Sequence, residues 1–244
     1  MTRKKRIILI SIISTVFAVL IAIIVAMGIY FSIYYHAENE LVDAFLEDSQ
    51  VVKTEIDKNK IAFVPENPKA GFIFYPGGKV EAEAYYPLMA ECANNGILSV
   101  IVEMPFNLAV FNVNGAEGIK EEFPQIEKWF LGGHSLGGSM VASYLEKNIE
   151  DYDGLILLGS YSTADFSGSD IRVLSIYGEN DGIMNREKYE KNKSNLSNLT
   201  EYVIKGGNHA GFGMYGSQNG DNEASISNEE QIKETVEIIA LFME

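Results

Sequence analysis

A serine surrounded by glycines sets the strongest constraint on the fold of this chain. Residues 130–140 read FLGGHSLGGSM, between a strand-like apolar run and a run of helical character. Glycine accepts backbone conformations and close approaches that a Cβ atom would prevent. The pattern Gly-x-Ser-x-Gly at residues 133–137 therefore predicts a sharp strand-to-helix turn that holds the Ser135 hydroxyl at its tip, as a nucleophile requires.

Strand-like and helix-like segments alternate along most of the chain. A hairpin is indicated at residues 51–65, and the later strand-like segments read AGFIFY, ILSVIVEMP, KWFLGG, DGLILLGS, RVLSIYG and TEYVIKGG. Segments with helical periodicity separate them, and the last one, residues 227–243, begins with a capping-box sequence. This alternation predicts an α/β fold, with a mostly parallel sheet flanked by helices. Reactive groups of such sheets collect at the carboxyl ends of the strands.

The N-terminal region combines four basic residues at 3–6 with a stretch from 7 to 35 that carries no charge. At about 1.5 Å per residue, a helix of this length exceeds the roughly 30 Å hydrocarbon core of a bilayer. A cleaved secretory signal is the alternative, but it has a shorter apolar region and a small-residue cleavage site, which is not evident here. We expect one transmembrane helix in the cell membrane, with a cytoplasmic N-terminus and the rest of the chain outside.

The 244 residues suit one large domain beside this anchor. We predict a basic tail at 1–6, the anchor at 7–35, a connecting segment at 36–50 and the domain at 51–244. With 19 Lys and Arg against 34 Asp and Glu, the chain lacks the excess of cations that nucleic-acid binding requires. The lipid bilayer is the expected macromolecular partner, through the anchor.

A serine hydroxyl needs a base within hydrogen-bond reach to act as a nucleophile, and histidine is the usual one. The chain has three histidines. His36 lies at the predicted membrane boundary, and the His134 side chain should diverge from that of its neighbour Ser135 and pack beside the turn. His209, in a glycine-rich loop after a strand, is the predicted base.

A histidine base needs an acid that holds its tautomer and stabilises the imidazolium. Asp181 follows the strand-like RVLSIYG segment, at a carboxyl end from which a loop can reach His209. Glu179, two residues earlier, is the alternative acid. The resulting order along the chain, Ser135, Asp181 and His209, is the order associated with this type of turn.

Negative charge that develops on a substrate oxygen needs preorganised N–H donors. We expect one donor to be the backbone N–H of Leu136, directly after Ser135. The other is expected from the loop after AGFIFY, at Gly78 and Lys79, which precedes a helix-like segment.

The long loop after His209 leaves two questions open. Phe212 and Tyr215 either line a pocket or pack the loop itself. We interpret Asp221 and Glu223 as a solvated turn rather than a calcium site, because no regular ligand spacing accompanies them. No metal and no organic cofactor is expected.

The segments FYPGG, GGHSLGG, YGEND and GGNHAGFG together resemble the α/β-hydrolase superfamily, and particularly a subgroup of single-domain bacterial hydrolases. The resemblance covers about residues 51–244. It implies an eight-stranded, mostly parallel sheet, with Ser135 as nucleophile, Asp181 as acid, His209 as base, and Leu136 with the PGGK loop as oxyanion hole. Unlike many members, this chain has only a short link between the DGLILLG and RVLSIYG strands, so we expect no helical lid.

The leading hypothesis from the sequence is a membrane-anchored serine hydrolase with a small-molecule substrate. It would cleave a carboxylic ester, or less readily an amide, through an acyl-enzyme intermediate. An acyltransferase could use the same site, and a non-catalytic surface module could retain the same fold; both alternatives stay open at this point.

Overall fold

The computed structural model describes residues 3–47, 49, 51–196 and 198–244. Residues 1 and 2 of the predicted basic tail, 48 and 50 of the predicted connecting segment, and 197 lie outside the described residues. The chain divides into two compact units, Met1–Tyr34 and Tyr35–Glu244.

The first unit consists mainly of helix α1 (Arg3–Ser32). Its length and apolar composition are sufficient to cross a membrane. A helix of this kind near an N-terminus is a membrane anchor or a signal sequence, which matches the two interpretations of the sequence.

The second unit is built on a sheet of eight strands within the described residues. The strands are β1 (Val52–Asp57), β2 (Lys60–Val64), β3 (Ala70–Tyr75), β4 (Ile97–Val102), β5 (Trp129–His134), β6 (Gly154–Leu158), β7 (Arg172–Gly178) and β8 (Asn198–Ile204). They lie in the order β1-β2-β4-β3-β5-β6-β7-β8. The pairs β1–β2 and β2–β4 are antiparallel and the other pairs are parallel. The predicted hairpin and mostly parallel sheet are confirmed.

Helices flank this sheet. They are α2 (Asn39–Glu47), α3 (Tyr86–Asn94), α4 (Ile119–Glu122), α5 (Leu136–Leu145), α6 (Arg186–Asn192) and α7 (Asn228–Met243). One hydrophobic cluster joins the sheet to α3 and α7, and a second cluster joins it to α5. Because both faces are covered, β3, β4, β5 and β6 are buried along their whole length, which explains their continuous apolar sequences.

The described part of segment 36–50 belongs to the same compact unit as the sheet. Val42, on α2, is only 3% exposed and lies in the first hydrophobic cluster. The Ala37 N–H donates to Glu81 Oε2 at 2.8 Å. This segment is therefore packed onto the rest of the second unit by side-chain burial and by polar contacts.

Candidate active site

Ser135 occupies the sharp turn between β5 and α5. Its backbone angles, φ 51° and ψ −119°, are strained for a residue with a side chain, at a cost of about 1–3 kcal/mol. Its N–H donates to Leu158 O on β6 at 2.9 Å. At Gly137, a Cβ atom would collide with the carbonyl oxygens of Tyr75 and Pro76. The turn is thus held tightly against β3 and β6. This close approach requires a glycine at position 137.

Asp181 and His209 meet although they lie in loops after different strands. Asp181 Oδ2 is 2.9 Å from His209 Nδ1, and the two side chains are 0% and 1% exposed. The other carboxylate oxygen of Asp181 accepts hydrogen bonds from the N–H groups of Ile183 and Met184, at 2.9 and 2.8 Å. Asp181 is therefore fixed by its own loop, with one oxygen left to face the imidazole.

The electrostatics of this pair favour an ionised carboxylate. Burial, the largest influence, raises the pKa of Asp181, but the hydrogen bond and the charge of His209, together with the N–H donors of Met184 and Ile183, lower it below its usual value. An ionised Asp181 can orient the His209 ring and stabilise a positive charge on it.

The remaining ring nitrogen of His209, Nε2, is buried and has no hydrogen-bond partner within the described residues. This nitrogen is therefore available to take a proton, but its hydrogen bond to Ser135 Oγ is not formed here. Hydrogen bonds of this kind are often long in the free state and tighten only with substrate. The structure thus joins two of the three predicted catalytic residues and sets the third in the predicted type of turn.

His134 packs beside the turn, as the sequence indicates. Its ring centroid lies 4.4 Å from that of His209, and its Nδ1 is 2.7 Å from the hydroxyl of Tyr85. Burial, followed by the charge of His209, lowers the pKa of His134 well below its usual value. His134 is thus neutral near pH 7 and contacts the base. The Tyr85 contact could not be predicted from the sequence, because nothing distinguishes Tyr85 from the adjacent tyrosine. His36, by contrast, has a side chain that is 67% exposed and lies 3.0 Å from Glu81.

The predicted oxyanion donors differ in their surroundings. Leu136 is the first residue of α5, and an N–H at that position has no acceptor within its own helix. Gly78 lies against it, since a Cβ atom at Gly78 would be 2.9 Å from Leu136 Cδ2. The N–H of Lys79, however, donates to Asn107 O at 2.6 Å. Because that N–H is engaged, Lys79 is less suited to donate to a substrate oxygen than the other two predicted donors, Leu136 and Gly78.

The loop after His209 packs against the site. Phe212 and Tyr215 are 0% and 5% exposed. The Tyr215 ring centroid lies 6.2 Å from that of Tyr85, and the Phe212 ring centroid lies 5.5 Å from that of His134. Phe212 therefore packs against His134 and Tyr215 against Tyr85, so both aromatic side chains are part of the packed surroundings of the Asp181–His209 pair.

Asp221 is half-buried and does more than lie in a solvated turn. Its Oδ1 accepts the N–H of Gly182, and its Oδ2 accepts the N–H of Ala210, both at 2.9 Å. One carboxylate thus connects the loop that carries Asp181 to the loop that carries His209. Its partners are distant in sequence, so no local pattern could have revealed this role.

Across the described ranges, no group of three or more His, Cys, Asp or Glu side chains is arranged to hold a metal ion.

The link between β6 and β7, residues 159–171, contains no helix. This agrees with the expectation that no helical lid is inserted there.

The strand order, the strained serine turn and the buried Asp–His pair at the carboxyl edge define an α/β hydrolase. The chain belongs to the alpha/beta hydrolase family, whose sequence model matches residues 71–233. No curated protein matches the chain.

Solved structures share the fold at low sequence identity. TT1662 from Thermus thermophilus matches with a TM-score of 0.60 and 14% identity, over 80% of this chain and 99% of that one. A predicted CIB-like hydrolase from Thermoplasma acidophilum matches with a TM-score of 0.57 and 14% identity, over 79% and 99%. Est1E from Butyrivibrio proteoclasticus matches with a TM-score of 0.56 and 14% identity, over 79% and 98%.

Proposed function

We propose that this chain is a membrane-anchored serine hydrolase that cleaves a carboxylic ester through an acyl-enzyme intermediate. Ser135 is the nucleophile, His209 the general base and Asp181 the acid that orients it. The observation that carries the proposal is the buried 2.9 Å contact between Asp181 and His209, whose free nitrogen His209 Nε2 lies unpartnered within the described part of the chain.

In the first half of the reaction, Ser135 Oγ attacks the ester carbonyl carbon while His209 Nε2 takes the hydroxyl proton. Asp181 stabilises the imidazolium through Nδ1. The tetrahedral intermediate collapses as His209 returns the proton to the departing alcohol oxygen, which leaves the acyl group on Ser135.

In the second half, His209 Nε2 takes a proton from water while the water oxygen attacks the acyl carbonyl carbon. The bond from that carbon to Ser135 Oγ then breaks, the proton returns to Oγ, and the carboxylic acid is released. The N–H groups of Leu136 and Gly78 donate hydrogen bonds to the carbonyl oxygen and stabilise the negative charge that develops on it in both halves. Removing one donor of this kind typically costs about 2.7–4 kcal/mol of transition-state stabilisation.

Helix α1 serves as the anchor of this enzyme. The basic residues 3–6 keep the N-terminus in the cytoplasm, so the hydrolase unit lies outside the cell membrane. Protease treatment of intact cells should remove the hydrolase unit, and protection of that unit in intact but not in lysed cells would reverse this orientation.

A fluorophosphonate probe tests the nucleophile directly, because it phosphonylates activated serines. The full chain in detergent should be labelled, and Ser135→Ala should not be. Ser143→Ala is the matched control, since Ser143 lies on α5 and its hydroxyl donates to Ser139 O of the same helix turn, at 3.1 Å. Absence of labelling in the wild-type chain, together with no turnover of soluble p-nitrophenyl esters, would favour the non-catalytic module.

A further inference from the structure

An exposed apolar cluster lies just after the carboxyl end of β4. Phe106, Val110 and Phe111 are 58%, 46% and 52% exposed, and the two aromatic ring centroids are 5.7 Å apart. We call these three residues the apolar patch. Large contiguous apolar surfaces exposed on a folded domain commonly mark an interaction site.

The backbone that presents the patch is strained. Phe106 and its neighbour Asn107 both have positive φ, 56° and 54°, which is rare for residues other than glycine and particularly so for a bulky aromatic residue. Backbone hydrogen bonds hold this loop, from Asn107 N–H to Met104 O at 2.9 Å and from Leu108 N–H to Pro105 O at 3.1 Å. The phenyl ring is thus kept outward by a local conformation that costs free energy.

The patch adjoins the proposed oxyanion loop. Asn107 O accepts the N–H of Lys79 at 2.6 Å, and Gly78, the preceding residue, lies against Leu136. A backbone hydrogen bond therefore connects the loop that carries the patch directly to the loop that would bind the substrate carbonyl.

The oxyanion loop is also hydrogen-bonded to Tyr35, at the start of the hydrolase unit. Tyr35 N–H donates to Lys79 O at 2.7 Å, and Tyr35 O accepts the N–H of Glu81 at 3.0 Å. Two residues of sequence separate Tyr35 from Ser32, the last residue of the apolar helix α1. Three extended residues span about 10 Å, so a membrane crossed by α1 must lie close to Tyr35, whatever direction the helix takes.

We infer that the apolar patch inserts into the surface of the lipid bilayer and that the Ser135 site receives its substrate from the membrane. The substrate class is a lipid-soluble ester that partitions into the bilayer. This inference rests on the proposed function for its substrate and on the anchor for its geometry. Insertion of Phe and Val side chains needs no cationic surface, which suits a chain with an excess of acidic residues.

Lipid contact can be measured on the full chain in phosphatidylcholine nanodiscs. The chain has one cysteine, Cys92, which is fully buried, so a cysteine introduced on the surface can be labelled selectively. A fluorophore on Val110→Cys should be quenched by nitroxide-labelled phosphatidylcholine. The control is Leu241→Cys, which is equally apolar and 66% exposed. Leu241 is next to Phe242, whose carbonyl oxygen accepts a hydrogen bond from Arg172 at the amino end of β7. The control therefore lies at the amino ends of the strands, whereas the patch lies at their carboxyl ends.

Quenching at position 110 several-fold above that at position 241 is the expected result. Equal quenching at the two positions would overturn membrane contact. Shielding of position 110 from both lipid nitroxide and aqueous iodide would also overturn it, since a second copy or another protein would then cover the patch.

The substrate class has a separate readout. The ratio of turnover on a long-chain p-nitrophenyl ester in phosphatidylcholine vesicles to turnover on soluble p-nitrophenyl acetate should fall about tenfold in Val110→Glu, and should not change in Leu241→Glu. An unchanged ratio in Val110→Glu would overturn the substrate class. If neither ester is hydrolysed by the wild-type chain, the proposed function fails, while quenching still decides membrane contact.

Discussion

The rings of His134 and His209 lie with their centroids 4.4 Å apart and their planes at 47°. This contact joins the strand that leads into the serine turn to the loop that carries the proposed base. Because His134 is buried and its pKa is lowered, it stays neutral in the step in which, by the proposed mechanism, His209 takes a proton. A neutral neighbour avoids the repulsion that a second imidazolium would impose on the transition state.

Replacing the acid should remove most of the activity. In Asp181→Asn the amide cannot hold the His209 tautomer or stabilise its positive charge, so kcat should fall about 10⁴-fold for soluble p-nitrophenyl esters. Asp165→Asn is the control, because Asp165 is exposed. A near-normal kcat in Asp181→Asn, with a large loss in Glu179→Gln, would transfer the role to the alternative acid.

Gly159, directly after β6, lies so close to Asp181 and His209 that a side chain there would collide with them. It has a φ of 50°, and a Cβ atom there would lie 2.9 Å from His209 Nδ1 and 3.1 Å from Asp181 Oδ2. Gly159→Ala should therefore displace the Asp181–His209 pair, lower kcat about tenfold or more and cost about 1–2 kcal/mol of stability. Gly168→Ala should change neither quantity, since its Cβ would meet nothing within 4 Å. Normal kinetics in Gly159→Ala would show that the observed pair geometry does not matter for turnover.

Asp221 is expected to act through the positions of two loops. Asp221→Ala removes the hydrogen-bond acceptors of Gly182 and Ala210, each bond contributing about 0.5–1.5 kcal/mol. The acid and base loops should then separate more easily, so kcat should fall about tenfold with little change in KM. The neighbouring Glu223→Ala, at an exposed residue, provides the comparison. A rise in KM with an unchanged kcat would instead place Asp221 in substrate binding.

Stability should depend on pH through His134. Burial lowers the folded-state pKa of this residue, so below about pH 6.5 the unfolded chain binds a proton there that the folded chain does not. The free energy of unfolding should therefore decrease as the pH falls below about 6.5, by about 1.4 kcal/mol per pH unit for this group. Urea unfolding of the full chain in detergent measures this slope, which should be shallower in His134→Gln. Identical slopes would contradict the assignment.

The sequence predicted the parts of this molecule that depend on local pattern. Continuous apolar runs indicate strands buried on both faces, and the glycines around Ser135 indicate the turn because only they permit its close contacts. Elimination among three histidines selected His209, which the structure places against Asp181.

Long-range polar contacts have no such local pattern. The links of Asp221 to Gly182 and Ala210 depend on how two loops fold over each other, and the engagement of the Lys79 N–H depends on the backbone of Asn107. Similarly, the burial of Val42 depends on a surface that forms only when the sheet and α3 have assembled. The two polar contacts leave no periodic or motif-like trace in the sequence, whereas the helical spacing of Val42 indicates a buried face but not the surface that covers it.

The central claim is that an acyl-enzyme forms on Ser135. The most direct test is to detect this acyl group by mass spectrometry while the chain turns over substrate. Rapid quenching of the full chain with p-nitrophenyl acetate, followed by peptide mass spectrometry, should find one acetyl group on Ser135. His209→Ala should form no such adduct at the same times. Release of p-nitrophenol with no acyl group on Ser135, or with the acyl group on another residue, would contradict the acyl-enzyme account.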